Sequence, residues 1–136
     1  MTLQLKDANL IKTAVLPNGA AATQTTGFDT GVQSGHGDFL ARCELLIAAP
    51  ALVVGDLADG ATMTYSVESD NDVAFGSPKI VADKVLIQTG AGGAGAAAAS
   101  ARFRLAENTE RYLRVKATNS GAGDASDKSM TVSLCF

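Results

Sequence analysis

The sequence predicts an all-β protein: an antiparallel β-sandwich, jelly-roll-like, of about seven or eight short strands. Three observations lead there. Apolar residues recur at every second position in segment after segment, the spacing of a strand with one buried face. Turn dipeptides such as Asn18-Gly19 and Asp59-Gly60, and clusters of Gly, Ser and Asp, separate these segments. Helical periodicity is missing. Residues 96–116 are rich in helix formers, but a helix there would line Phe103 up with Glu107 and Glu110, whereas period two gives the aromatic an apolar face.

In chain order, residues 1–16 carry Leu3, Leu5, Leu10, Ile11, Val15 and Leu16 without a clean period of either kind. This segment reads either as an arm that docks on another molecule or as the first element of the domain. Pro17-Asn18-Gly19 ends it, and residues 17–136 form a single β-sandwich domain. Residues 20–26 are small and threonine-rich, which favours an extended path. Phe28-Asp29-Thr30-Gly31 reads as a turn, followed by a loop through Gly35-His36-Gly37. Phe39, Ala41, Cys43, Leu45 and Ile47 then face one way and Arg42 and Glu44 the other, with Leu40 and Leu46 partly covering the outer side. Pro50 stops that ladder.

Ala61, Met63, Tyr65 and Val67 alternate with Thr62, Thr64, Ser66 and Glu68, the clearest strand of the chain. An acidic loop and a long connection to Pro78 follow. Residues 80–87 read as a strand bent near Asp83. Residues 90–99 are almost pure glycine and alanine and read as a mobile hairpin tip. Beyond them Ala101, Phe103 and Leu105 oppose Arg102 and Arg104, and Leu113, Val115 and Ala117 oppose Tyr112, Arg114 and Lys116. After a polar turn over residues 119–128, Met130, Val132, Leu134 and Phe136 alternate with Thr131, Ser133 and Cys135. The expected core is Met63, Tyr65, Phe103, Leu113, Val115, Val132 and Leu134, with Phe28, Phe39, Phe75, Phe103 and Phe136 as its largest pieces.

At 136 residues the chain is long enough to bury a core without disulfide or metal staples. Hydrophobic residues make up 46%, but much of that is alanine and only 5% is aromatic, so the core is thin. Charged residues are 18% with a net of −3, which leaves no basic surface of the kind nucleic acid requires. The N-terminus lacks a basic region followed by an unbroken apolar run, so no signal peptide is expected. Nor is there a run of about 18 large apolar residues to span a membrane. Cys43 and Cys135 belong to no CxxC pair and read as small buried hydrophobes, with a disulfide between them left open.

Three constellations invite a chemical reading. Gly90, Gly92 and Gly95 fit G-x-G-x-x-G after a strand, but a dinucleotide site needs a helix next, and a β-patterned segment follows instead. Ser34, His36 and Asp38 share one loop, whereas triad members converge from separate elements. Glu68, Asp70 and Asp72 have the alternate spacing of a calcium loop, but Val73 stands where its glycine belongs and Lys79 where its closing glutamate belongs. The expectation is therefore a protein with no catalytic residues, no cofactor and no metal.

From Leu5-Lys6-Asp7-Ala8 to Phe28-Asp29-Thr30-Gly31, and from Arg111-Tyr112-Leu113-Arg114-Val115 to the last strand, the layout resembles the jelly-roll capsid cement (decoration) proteins of tailed bacteriophages. Those have a short N-terminal segment, an x-Asp-x-Gly turn, an alternating-strand core, an Arg-Tyr-Leu-Arg strand and a final hydrophobic strand. The long Gly/Ala run departs from that compact pattern. The resemblance implies a structural virion protein on the outside of an icosahedral head, assembled in the host cytoplasm. Its partners would be the major capsid protein and further copies of itself as a homodimer or homotrimer, with no direct contact to nucleic acid or membrane. The expected interface residues are Leu3, Leu5, Leu10 and Ile11 on the N-terminal segment and Arg111, Arg114 and Lys116 on one strand face. The alternatives are a carbohydrate-binding or adhesin-type sandwich, which usually displays exposed aromatics, and a small enzyme on a β-scaffold, for which no acid–base pair stands out.

Overall fold

The computed structural model describes residues 10–31, 43–106 and 109–135. Its strands are β1 (Ile11–Val15), β2 (Ala22–Gln24), β3 (Phe28–Asp29), β4 (Glu44–Ala49), β5 (Thr62–Asp70), β6 (Lys79–Thr89), β7 (Ala99–Arg104), β8 (Tyr112–Asn119) and β9 (Ser129–Cys135). One antiparallel sheet has the order β1-β9-β4-β7; the other has β2-β8-β5-β6, with β3 also on β8. No α-helix occurs among the described residues. The chain passes back and forth between the sheets, and only the β5–β6 hairpin and the β2–β3 pair stay within one. This is the jelly-roll-like sandwich expected from the alternation.

The strand count exceeds the expected seven or eight because residues 22–29 supply two short pieces that alternation does not mark. They are parts of one interrupted strand along β8. Thr25 sits between them, donating its N–H to the Val115 carbonyl at 3.0 Å and accepting the Val115 N–H on Oγ1 at 3.1 Å. The Phe28–Asp29 part of the expected turn is thus ladder, held because Phe28 fills the core.

Inward faces follow the period. Leu45 and Ile47 on β4, Met63, Tyr65 and Val67 on β5, Leu113, Val115 and Ala117 on β8, and Met130, Val132 and Leu134 on β9 are buried between the sheets. Phe103 is only partly buried at the margin of this core, and of the other described phenylalanines Phe28 lies within it and Phe75 does not. Phe75 is covered elsewhere, and Phe39 and Phe136 lie outside the described residues. Tyr65 is the largest fully buried side chain. Its hydroxyl donates to Gln88 Oε1 at 2.8 Å, and Gln88 Nε2 donates to the carbonyls of Pro50 and Ala97 at 2.9 and 2.8 Å. Burial pushes the tyrosine hydroxyl pKa up.

In the N-terminal segment, β1 pairs with β9 along its length and Leu16 is core. The described part of that segment is therefore the first strand of the sandwich. Residues 1–9, with Leu3 and Leu5, lie outside the described residues.

The Gly/Ala run does not stand out as a free tip. Gly90 exchanges backbone hydrogen bonds with Gly60 and Ala61, Ala96 and Leu52 bond reciprocally at 2.8 Å, and the Gly93 N–H donates to the Asp59 carboxylate. Missing side chains make this docking possible. A Cβ on Gly95, whose φ is +76°, would fall 2.0 Å from the Leu52 carbonyl oxygen. The sequence signal for mobility was in fact a signal for close backbone approach. The bend expected near Asp83 is a bulge against β5, with Lys84 at φ 51°. Ser66 Oγ fills it, accepting from Lys84 N at 3.0 Å and donating to Asp83 at 2.9 Å.

Candidate functional site: the outer sheet faces

The five-stranded sheet turns Thr64, Ser66, Glu68 and Asp70 of β5 outward beside Thr118, Lys116, Arg114 and Tyr112 of β8. Glu68 is the centre of this face. Its side chain is only 5% exposed, yet it carries a charge between Arg114, 2.7 Å away, and Lys116, at 3.5 Å. The Arg114 guanidinium in turn lies over the Phe75 ring, 4.4 Å from its centroid. Phe75 adopts φ 51° to reach that place, and the ring leaves room for no side chain at Gly27. A carboxylate shielded from water is tolerated because both flanking cations and a guanidinium–aromatic stack compensate it.

The connection that delivers Phe75 is held by Asp70, which accepts the N–H groups of Asp72 and Ser77, each at 2.9 Å. Those bonds hold the Asp70 carboxyl below its usual pKa. Next to Glu68, a shallow concavity of about 210 Å³ is lined by Thr64, Ser66, Ile80, Lys84 and Lys116. Arg111 precedes β8 and pairs with Asp29 through Nε at 2.8 Å and a second nitrogen at 3.0 Å, packing against Tyr112. That bond lowers the Asp29 pKa and raises that of Arg111.

The four-stranded sheet presents a different surface. The antiparallel register places Ile11, Ser133, Leu46 and Arg102 in one outward row, and Thr13, Thr131, Ala48 and Ser100 in the next. Val15, 54% exposed, extends this face at one margin. Its charges gather at one end, where Glu44 meets Arg102 and Arg104 at 3.4 and 3.3 Å. Cys135 is half-buried on this outer face, while Cys43 continues the inward row; the thiols point to opposite sides of the sheet and form no disulfide. The expectation of two buried cysteines therefore holds for Cys43 alone.

The residues nominated as an interface do not form one patch. Arg114 and Lys116 lie on the outer face of the five-stranded sheet, each engaged with Glu68, and Arg111 is engaged with Asp29 at its end. Ile11 faces outward on the opposite sheet, and Leu10 packs against the core. Two sheets and a core separate the basic row from the apolar strand. Of the other constellations, Ser34, His36 and Asp38 lie outside the described residues, and no group of acidic, His or Cys side chains suited to a metal occurs among the described ones. Sequence reasoning missed the Glu68–Arg114–Phe75 stack and the uncharged outer rows. Period two marks the latter only as the non-core side of β4 and β9, and residues 1–16 show no clean period at all. No family model matches the chain, and comparison with curated proteins finds no match.

Proposed function

We propose that this chain is a structural virion protein that binds the outside of an icosahedral phage head and cements neighbouring major capsid subunits, associating with itself as a dimer or trimer. The observation that carries the reading is the outer face of the four-stranded sheet. Uncharged side chains (Ile11, Thr13, Thr131, Ser133, Leu46 and Ala48) form its centre, and Glu44, Arg102 and Arg104 form a charged end. A protein–protein contact has this composition, with charge depleted at the centre and kept at the rim. The capsid itself is suggested by the resemblance of the Phe28–Gly31 and Arg111–Val115 stretches to cement proteins. A carbohydrate-binding sandwich draws less support: Tyr65 is fully buried, and the ring of Tyr112 is occupied by Arg111.

The test is co-sedimentation and electron microscopy with head shells of the phage that encodes the chain. Added density on the shells is expected for the natural protein. Thr131→Asp, which places a charge in the middle of the face without touching the core, should abolish it. Shells that stay bare, or decoration unchanged by Thr131→Asp, would overturn the proposal.

A further inference from the structure

The sandwich has open strand edges, and they are not equally protected. On β6 the bulge at Lys84 and the charges of Lys79, Asp83 and Lys84 interrupt the edge. β7 carries the charges of Arg102 and Arg104 on its outer face. β2 and β3 span only three and two residues. Such devices keep edges from pairing with other chains. β1 has a single guard of this kind, the inward-facing Lys12, and no outward charge. It lies at the margin of its sheet with β9 on one side, and it carries no proline and no bulge. Its one charge, Lys12, shares the inward row with Val132 and reaches over the Phe28 ring at 6.0 Å.

The register fixes which backbone groups are left over. Leu16 N–H donates to the Lys128 carbonyl at 2.9 Å, in line with the β1–β9 pairing. Hydrogen-bonded pairs alternate in an antiparallel ladder, so Ala14 and Lys12 also bond toward β9. Ile11, Thr13 and Val15 therefore direct their N–H and C=O groups away from the sheet. Among the described residues the one partner there is Thr23, whose Oγ1 donates to the Val15 carbonyl at 2.6 Å and leaves that oxygen a second lone pair.

We infer that β1 is a strand-pairing edge whose occupant is β1 of a second copy. The two strands run antiparallel about a two-fold axis through Thr13, joining two four-stranded sheets into one. This rests on the self-association part of the proposed function and gives it a site. The segment is self-complementary in that register. Thr13 meets Thr13 of the other copy, and Ile11 meets Val15. These are β-branched cross-strand pairs on one face, of the kind that stabilise sheets, with no like charges opposed. A two-fold contact requires such a match of a surface with itself. The joined sheets would also make one continuous uncharged outer face across both copies.

The experiment is sedimentation velocity over a concentration series, with hydrogen exchange on the same samples. A dimer is expected, with the Ile11 and Val15 amides protected in the dimer and exposed on dilution. Thr13→Pro should abolish the dimer and leave the melting transition in place, because the Thr13 N–H donates nothing to β9 and proline is accepted at such edge positions. Thr13→Asp is the second variant; it keeps the N–H and sets two carboxylates against each other across the axis. A monomer or trimer at every concentration would overturn the inference, as would a dimer surviving in both variants, or amide protection that persists in the diluted monomer. Shell decoration is scored separately: decoration without a dimer removes only the pairing, and a dimer that leaves shells bare removes only the capsid reading.

Discussion

Gln88 shows how one side chain ties distant parts of the chain together. It is 3% exposed, accepts the Tyr65 hydroxyl, and donates to the carbonyls of Pro50 and Ala97. Tyr65→Phe keeps the ring's packing but strands the Gln88 carbonyl in a dry site. It is expected to cost about 1–3 kcal/mol in denaturant unfolding. Asp70 gives a pH-dependent case. Its folded pKa is depressed below the ordinary 3.8 by the Asp72 and Ser77 N–H groups. A depressed acid contributes stability that is full above its unfolded pKa and lost as pH falls through the folded value. The stability gap between the natural chain and Asp70→Asn should therefore be constant above about pH 5 and close below pH ~4. Chemical denaturation at several pH values checks this. Asp29, lowered by Arg111, acts in the same direction.

Among the elements, the β6–β7 connection departs furthest from its sequence reading. Glycine runs are flexible in isolation, but here they let two backbones meet. Gly95→Ala would combine a left-handed φ of +76° with a Cβ 2.0 Å from the Leu52 carbonyl oxygen. A loss on the order of 2 kcal/mol or more is expected. Gly92 has φ +63° and nothing within 4 Å of its added Cβ, so Gly92→Ala should cost only the conformational term, about 1 kcal/mol. Equal melting temperatures for the two variants would show that the docking against residues 52–61 contributes nothing. β1 gives a second lesson at this scale. Its mixed pattern of Leu10, Ile11, Ala14 and Val15 carries no clear period because it is a margin strand, with Lys12 in an inward position.

At the scale of the whole molecule, the two outer faces differ in charge. One is closed by ion pairs around Glu68; the other is uncharged at its centre. The proposed contacts use the second face and the β1 edge that borders it. Deletion of an N-terminal arm has to stop at residue 9 to leave the first strand whole, since Ile11 and Lys12 already pair with β9.

The alternation of apolar and polar residues alone determined the all-β class, most strand positions, and which side of β4, β5, β7, β8 and β9 is buried. Burial on a pleated strand is a local property, legible two residues at a time. Only the tertiary structure decided which strands are neighbours, and therefore which charges cancel. Glu68 and Arg114 are 46 positions apart, and Asp29 and Arg111 are 82 apart. Each pair is neutralised only because β8 lies between β5 and the β2–β3 strand. The same holds for the Gly/Ala run, whose composition permits both a free loop and a docked one. Its place was settled by the carbonyls of residues 52–61 that the fold brings against it.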